Sequence, residues 1–237
     1  MDLKGRVAIV AGGTGGLGRA ASLAFLEAGA AVTATYRRAA ELDALRAEAG
    51  AGAGRLEGEA VDVTDEDAAG RLVAGVVERH GRLDALVNTV GGWAGGAKAW
   101  EAPVGELDRM LALNLRSGWV LARAAARAMV PRGRGAIVNV ASKAGVEPTP
   151  GAAAYAASKA AAIAMIESLA ADLRGTGVRA NSVLPSVIDT PANREAMPKA
   201  DFSRWPKPED IARVILFLCS DDAVLVHGAA IPVYGSR

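Results

Sequence analysis

One cysteine in 237 residues, Cys219, excludes an intramolecular disulfide. Its place after the apolar run Val214-Ile215-Leu216-Phe217-Leu218 makes it a small buried hydrophobe. The two histidines, His80 and His227, have no cysteine or carboxylate at ligand spacing, so no protein-built metal site is expected. Aromatic residues are only 4% of the chain, too few for an aromatic-rich sandwich, whereas 28 glycines and 51% hydrophobic residues suit helices packed closely on a sheet through small side chains. An excess of one charge is missing as well. The 27 basic and 26 acidic residues are interspersed, net +1, and leave no basic stripe for nucleic acid. No run of about 18 apolar residues escapes Arg, Lys or Glu, and Met1-Asp2-Leu3-Lys4-Gly5 leads straight into a strand pattern. No membrane partner is expected, and the expected location is the cytoplasm.

What is present is an alternation. Arg6 to Ala11 is a β-branched run ending at a glycine cluster, and Leu17 to Ala28 has helical character. Ala31 to Tyr36 reads as a second strand, Glu41 to Ala49 as a helix, Arg55 to Val63 as a region holding a third strand that stops at Asp62, and Asp65 to His80 as a helix capped by Thr64 or Asp65. Leu83 to Asn88 gives strand four, Val104 to Met129 a long apolar periodicity, Gly135 to Val140 strand five, and the Ala-rich run to Leu173 a helix. Val178 to Leu184 gives strand six, Glu209 to Ser220 a last helix and Ala230 to Val233 a last strand. Strands alternating with helices predict one α/β domain over 1–237: a doubly wound, Rossmann-like parallel sheet of about seven strands with helices on both faces. The Pro-rich stretch at about 186–208 is the expected lid.

The segment Gly12-Gly13-Thr14-Gly15-Gly16-Leu17-Gly18 fits GxGxxG through Gly13, Gly15 and Gly18, or GxxxGxG through Gly12, Gly16 and Gly18. Either brings backbone N–H groups at a helix N-terminus close to a pyrophosphate. No carboxylate ends the second strand to hold a 2′-hydroxyl; Arg37 and Arg38 follow instead, which favours the 2′-phosphate of NADP(H), with NAD(H) possible and with a solvated pairing to Glu41 as the plain alternative. Asp62 is an adenine acceptor or a turn residue. Asn88 and Gly91 close strand four beneath the cofactor, and Asn114, a polar residue in an apolar helix, is a helix-to-strand strut or part of a proton path.

Tyr155 and Lys159, four apart, share one helix face. A phenol beside a cation has its ionised form favoured and becomes a proton donor and acceptor nearer neutrality. Ser142, at the end of strand five, can hold a carbonyl oxygen while Tyr155 protonates it. No GxSxG elbow surrounds Ser142, so a serine hydrolase is disfavoured.

In this order and spacing, Gly12/Gly16/Gly18, Asp62, Asn88 with Gly91, Asn114, Ser142, Tyr155 and Lys159 resemble the short-chain dehydrogenase/reductase family over nearly the whole chain. The resemblance implies Tyr155 as general acid/base, Ser142 positioning the substrate oxygen, Lys159 lowering the tyrosine pKa and binding the nicotinamide ribose, and Asn114 helping to hold a water-linked proton relay. It also implies cofactor contacts at Thr14, Leu17, Val63, Pro185, Ile188 and Thr190. Three positions depart from the family pattern: Ala11 for Thr, Asn88-Thr89-Val90-Gly91 for NNAG, and Pro185-Ser186 for Pro-Gly. The Gly91 to Gly96 loop and the lid are similar to those of dihydropteridine reductases, with Trp93 or Trp205 to stack on a flat ring and Asn193 to fix its polar edge.

The expectation is an NADP(H)-dependent oxidoreductase acting on a small-molecule carbonyl or quinonoid C=N substrate, assembled as a homodimer or homotetramer. A dihydropteridine reductase proper using NADH, and a catalytically silent NADP-sensing or scaffold protein, are the competing readings.

Overall fold

The computed structural model describes residues 1–235; the last two residues of the expected 1–237 domain lie outside the described residues. The strands are β1 Val7–Ala11, β2 Ala31–Tyr36, β3 Leu56–Ala60, β4 Ala85–Asn88, β5 Gly135–Val140, β6 Val178–Pro185 and β7 Ala230–Val233. They form one sheet in the order β3-β2-β1-β4-β5-β6-β7, and every neighbouring pair is parallel. The helices are α1 Gly16–Glu27, α2 Ala39–Ala49, α3 Glu66–His80, α4 Val104–Leu111, α5 Ser117–Met129, α6 Ala153–Asp172, α7 Pro191–Ala196 and α8 Pro208–Cys219. This is the doubly wound, Rossmann-like α/β architecture.

Both faces of the sheet are covered, which is why its strands read as continuous apolar runs rather than alternating ones. Ala8 and Val10 pack with Phe25 and Leu26 of α1 and Ile211 and Ile215 of α8, while Val7 and Ile9 face Val73 and Val76 of α3 and Leu121 of α5. Successive strand side chains point to opposite faces, so one strand feeds both cores. Phe25 is fully buried, and cutting it to alanine should cost on the order of 3–5 kcal/mol.

The chain winds outward through β1, β2 and β3, then returns to place β4 on the other side of β1, with Ala11 paired to Asn88. That reversal leaves a crevice at the carboxyl ends of β1 and β4, where α/β sheets bind ligands.

Three local expectations change, and one open alternative is decided. The third strand is shorter than Arg55 to Val63, because a 3-10 turn takes Gly50–Arg55 and Asp62 bends the chain by accepting from Thr64 N–H at 2.9 Å. Asp65, rather than Thr64, caps α3 by accepting from Ala68 N–H at 2.7 Å. The Val104 to Met129 periodicity is divided by a π-helical turn at Ala112–Arg116. The lid is partly ordered, with α7 capped by Thr190 and a 3-10 turn at Phe202–Arg204.

Candidate active site

The glycine loop between β1 and α1 is shaped by close backbone contact. Gly12 has φ +72° and donates its N–H to Thr35 Oγ1 at 2.8 Å. A Cβ on Gly18 would collide with the Gly12 carbonyl, and one on Gly16 would lie 2.8 Å from Thr190 Cγ2. These are the Gly12/Gly16/Gly18 positions of the GxxxGxG register, and they leave α1 to start at Gly16 after Gly15, which gives it no side-chain cap, so that its first N–H groups are available to an anion. Leu17 is buried behind the loop, and Thr14 lies on its outer side.

A cleft of about 650 Å³ runs from this loop across the strand ends, lined among others by Thr14, Arg37, Asp62, Val63, Val90 and Gly91. At its outer end the two arginines separate. Arg38 donates to Glu41 Oε1, with Nε at 2.8 Å, and holds that carboxyl below its ordinary pKa. Arg37 lines the cleft, and its field helps to lower Asp62, whose main cause is the Thr64 hydroxyl donating to Asp62 Oδ1 at 2.7 Å. Asp62 is therefore a turn residue that also lines the cleft.

Asn88 donates to Asn139 Oδ1 at 2.8 Å and accepts from Val90 N–H at 3.1 Å. It braces β4 against β5 under the cleft floor.

Asn114 lies in the π-helical turn, 1% exposed. An inserted residue there turns its amide out of the helix, toward the loop after β4. Its Oδ1 accepts from Gly92 N–H at 2.9 Å, and its Nδ2 donates to Gly92 O and to Ser158 Oγ, each at 3.0 Å. The strut reading is thus realised, between helix and post-strand loop. Ser158 in turn donates to Tyr155 O at 2.7 Å.

Lys159 is buried and donates from Nζ to Val140 O at 3.0 Å; desolvation lowers its pKa to about 8. Its Nζ stands 6.0 Å from the Tyr155 ring centroid. Burial pushes the Tyr155 phenol above its ordinary value, and the neighbouring Ser142 hydroxyl pulls the other way without cancelling it. This corrects the expectation of a phenol lowered by its neighbour: Lys159 Nζ is engaged by the Val140 carbonyl, and desolvation of the phenol sets the direction. Ser142, buried just past β5, also accepts from Ala144 N–H at 3.2 Å.

The lid begins beside the glycine loop, with Thr190 against Gly16. Pro185 ends β6, and Ile188 packs on the core beside α1. Thr190 accepts from Asn193 N–H at 3.2 Å, and Asn193 Nδ2 donates to Ile188 O at 2.8 Å, so that amide is spent on the lid itself. Trp205 packs on Phe202 with ring centroids 4.9 Å apart, and the Arg194 guanidinium lies 4.8 Å from the Phe202 centroid. Trp93 is 62% exposed, its ring next to Gly95, in the loop whose Gly96 N–H donates to Gly151 O ahead of α6. Tyr155, Lys159, Ser142 and Asn114 come together; Trp93, Asn193 and Trp205 are engaged separately.

Several participants carried little sequence signal. Ser158 falls inside Tyr155-Ala156-Ala157-Ser158-Lys159, where its spacing from Tyr155 could have marked it. Thr35 and Thr89, which grip the glycine loop, and the Val140 carbonyl have no distinguishing pattern.

Such a fold and side-chain cluster define a nucleotide-dependent oxidoreductase of the dehydrogenase/reductase class. Residues 6–201 match the short chain dehydrogenase family, and the chain belongs to it. It is 35% identical over 243 residues to a 3-oxoacyl-acyl-carrier-protein reductase of Thermotoga maritima, covering 99% of this chain and 98% of that protein. Among solved structures it is similar to a short-chain type dehydrogenase/reductase from Mycobacterium ulcerans, with TM-score 0.93, 29% identity and coverage of 99% of this chain and 90% of that one. It is also similar to an NAD+-bound xylitol dehydrogenase, with TM-score 0.91, 27% identity and full coverage of both chains.

Proposed function

We propose that this chain is an NADP(H)-dependent oxidoreductase that interconverts a carbonyl, or a quinonoid C=N, with its reduced form. The observation that carries the reading is the gathering of Tyr155 and Ser142 beside buried Lys159, whose Nζ is held by Val140 O at 3.0 Å and stands 6.0 Å from the Tyr155 ring centroid, at the same sheet edge as the glycine cradle. The cradle fits a dinucleotide: a Cβ on Gly18 would collide with the Gly12 carbonyl, one on Gly12 would crowd Thr89 Oγ1, and the start of α1 offers uncapped N–H groups. When bound, the nicotinamide supplies or accepts the hydride.

The chain's own residues do the rest. Gly12, Thr14, Gly16, Leu17 and Gly18 seat the pyrophosphate end, Arg37 faces the 2′-phosphate, and Asp62 with Val63 border the adenine. Asn88, Gly91, Pro185, Ile188 and Thr190 line the nicotinamide end. In reduction the Tyr155 hydroxyl donates its proton to the substrate oxygen or nitrogen, and in oxidation it takes that proton back. Burial raises its pKa and so favours the protonated form, which suits the donor role. Ser142 orients the substrate atom, Lys159 binds the ribose, and Asn114 holds the Gly91-Gly92 loop against both.

Substrate contact is assigned to exposed Trp93, which leaves a flat ring face at the rim, while Asn193 and Trp205 hold the lid. The relatives named above include a 3-oxoacyl reductase and a xylitol dehydrogenase, which favours a carbonyl over a pterin. We place the protein in the cytoplasm as a single-domain homodimer or homotetramer, and light scattering that returns a monomer would reject that assembly. The exposed Trp119 on α5 supports association.

The test is a panel of ketones, quinones and a quinonoid dihydropterin, followed by loss of NADPH. Turnover of ketones is expected. Turnover confined to the dihydropterin with NADH would make the protein a dihydropteridine reductase, and tight NADPH binding with silence throughout would make it a sensor or scaffold.

A further inference from the structure

Glu41 lies in the first turn of α2 and faces the cleft alongside Thr14 and Arg37. Its two oxygens are held by different elements. Oε1 accepts from the Arg38 guanidinium, and Oε2 accepts from Thr14 Oγ1 at 3.2 Å. Thr14 belongs to the glycine loop and Arg38 precedes α2, so one carboxylate ties together the two segments that border the outer end of the crevice. The donors it occupies, a hydroxyl and a guanidinium, are those that recognise a phosphate. The remaining cation, Arg37, has the same cleft in view, together with the carboxylate of Asp62 across it.

We propose that Glu41 is a built-in anion occupying the seat of the cofactor's 2′-phosphate, and that it limits how strongly the protein prefers phosphorylated over unphosphorylated dinucleotide. The inference rests on the reading of the cleft as a dinucleotide site. A 2′-phosphate must displace Glu41 from Thr14 and Arg38, or bind beside its negative charge; a bare 2′-hydroxyl meets neither obstacle. Arg37 draws the phosphate in while Glu41 opposes it, and the measured preference is the difference between them. The pairing of Arg38 with Glu41 also explains why two consecutive arginines need not give a strict NADP enzyme.

The test is the dissociation constant of NADPH and of NADH, read by quenching of protein fluorescence, for the parent and for Glu41→Gln. This substitution keeps the size of the side chain and a hydrogen bond to Thr14 while removing the charge. NADPH is expected to bind on the order of tenfold tighter, as for removal of one like charge at close range in a partly solvated cleft, with NADH changed by less than about threefold. Arg38→Ala in the Glu41→Gln background should reverse part of the gain, because the freed guanidinium then serves the phosphate. Weaker NADH binding with NADPH unchanged would make Glu41 an acceptor for the 2′-hydroxyl and overturn the proposal. So would no change in either constant. Failure of the parent to bind either dinucleotide would instead sink the reading on which it rests.

Discussion

Asn114 and Lys159 reach the same backbone position from different helices. A Cβ on Gly91 would lie 2.9 Å from Asn114 Oδ1 and 3.1 Å from Lys159 Nζ. Gly91 has no left-handed φ, so alanine there is a question of space rather than of backbone strain. Gly91→Ala should push both groups from their places, lowering turnover by about tenfold or more through misplacement. Overpacking of about 1–3 kcal/mol should lower the melting temperature by a few degrees. Steady-state kinetics and a melting curve on the same preparation check this; unchanged turnover would mean that the Asn114 and Lys159 positions do not matter to the chemistry.

The burial of Lys159 has a signature in stability. Its pKa is about 8 in the folded chain against 10.5 as the ordinary value. Between these values the unfolded chain binds the extra proton, so this group's contribution to stability rises with pH through that window; below about 8 both states are protonated and the slope vanishes. Cys219, pushed to about 12 from 9.0, acts in the opposite sense above pH 9, which leaves pH 8 to 9 as the clean interval. Denaturant midpoints of the parent should rise across it relative to Lys159→Met. Parallel curves would contradict a buried, depressed Lys159.

The two arginines after β2 should separate on mutation. Arg37→Ala is expected to narrow the NADPH-over-NADH preference by on the order of tenfold, the loss of one charge-assisted contact. Arg38→Ala should do less, because Glu41 already engages that guanidinium. Equal affinities for the two cofactors in the parent would refute the role of Arg37.

The sheet is readable in the sequence because parallel strands buried on both faces leave unbroken apolar runs: β5 and β7 fall where Gly135 to Val140 and Ala230 to Val233 predict them. Turns that depend on one side chain are not. The π-helical turn at Ala112–Arg116 adds a residue without interrupting the apolar periodicity, and only Asn114 hints at it. Spacing alone pairs Tyr155 with Lys159, but it does not show that Nζ goes to the Val140 carbonyl, and so it points the Tyr155 shift in the wrong direction. Arg38 and Glu41 illustrate the same limit: three residues apart at a helix start, their pairing is one option in the sequence, and only the folded loop brings Thr14 to the second carboxylate oxygen.

Proton delivery by Tyr155 is the step on which the proposed function stands. The measurement is the rate of NADPH consumption with a turned-over ketone by the parent and by Tyr155→Phe, with NADPH affinity determined for both. Loss of the general acid predicts a fall in turnover on the order of 10²-fold or more, with NADPH still bound. Near-parental turnover by Tyr155→Phe would contradict the account.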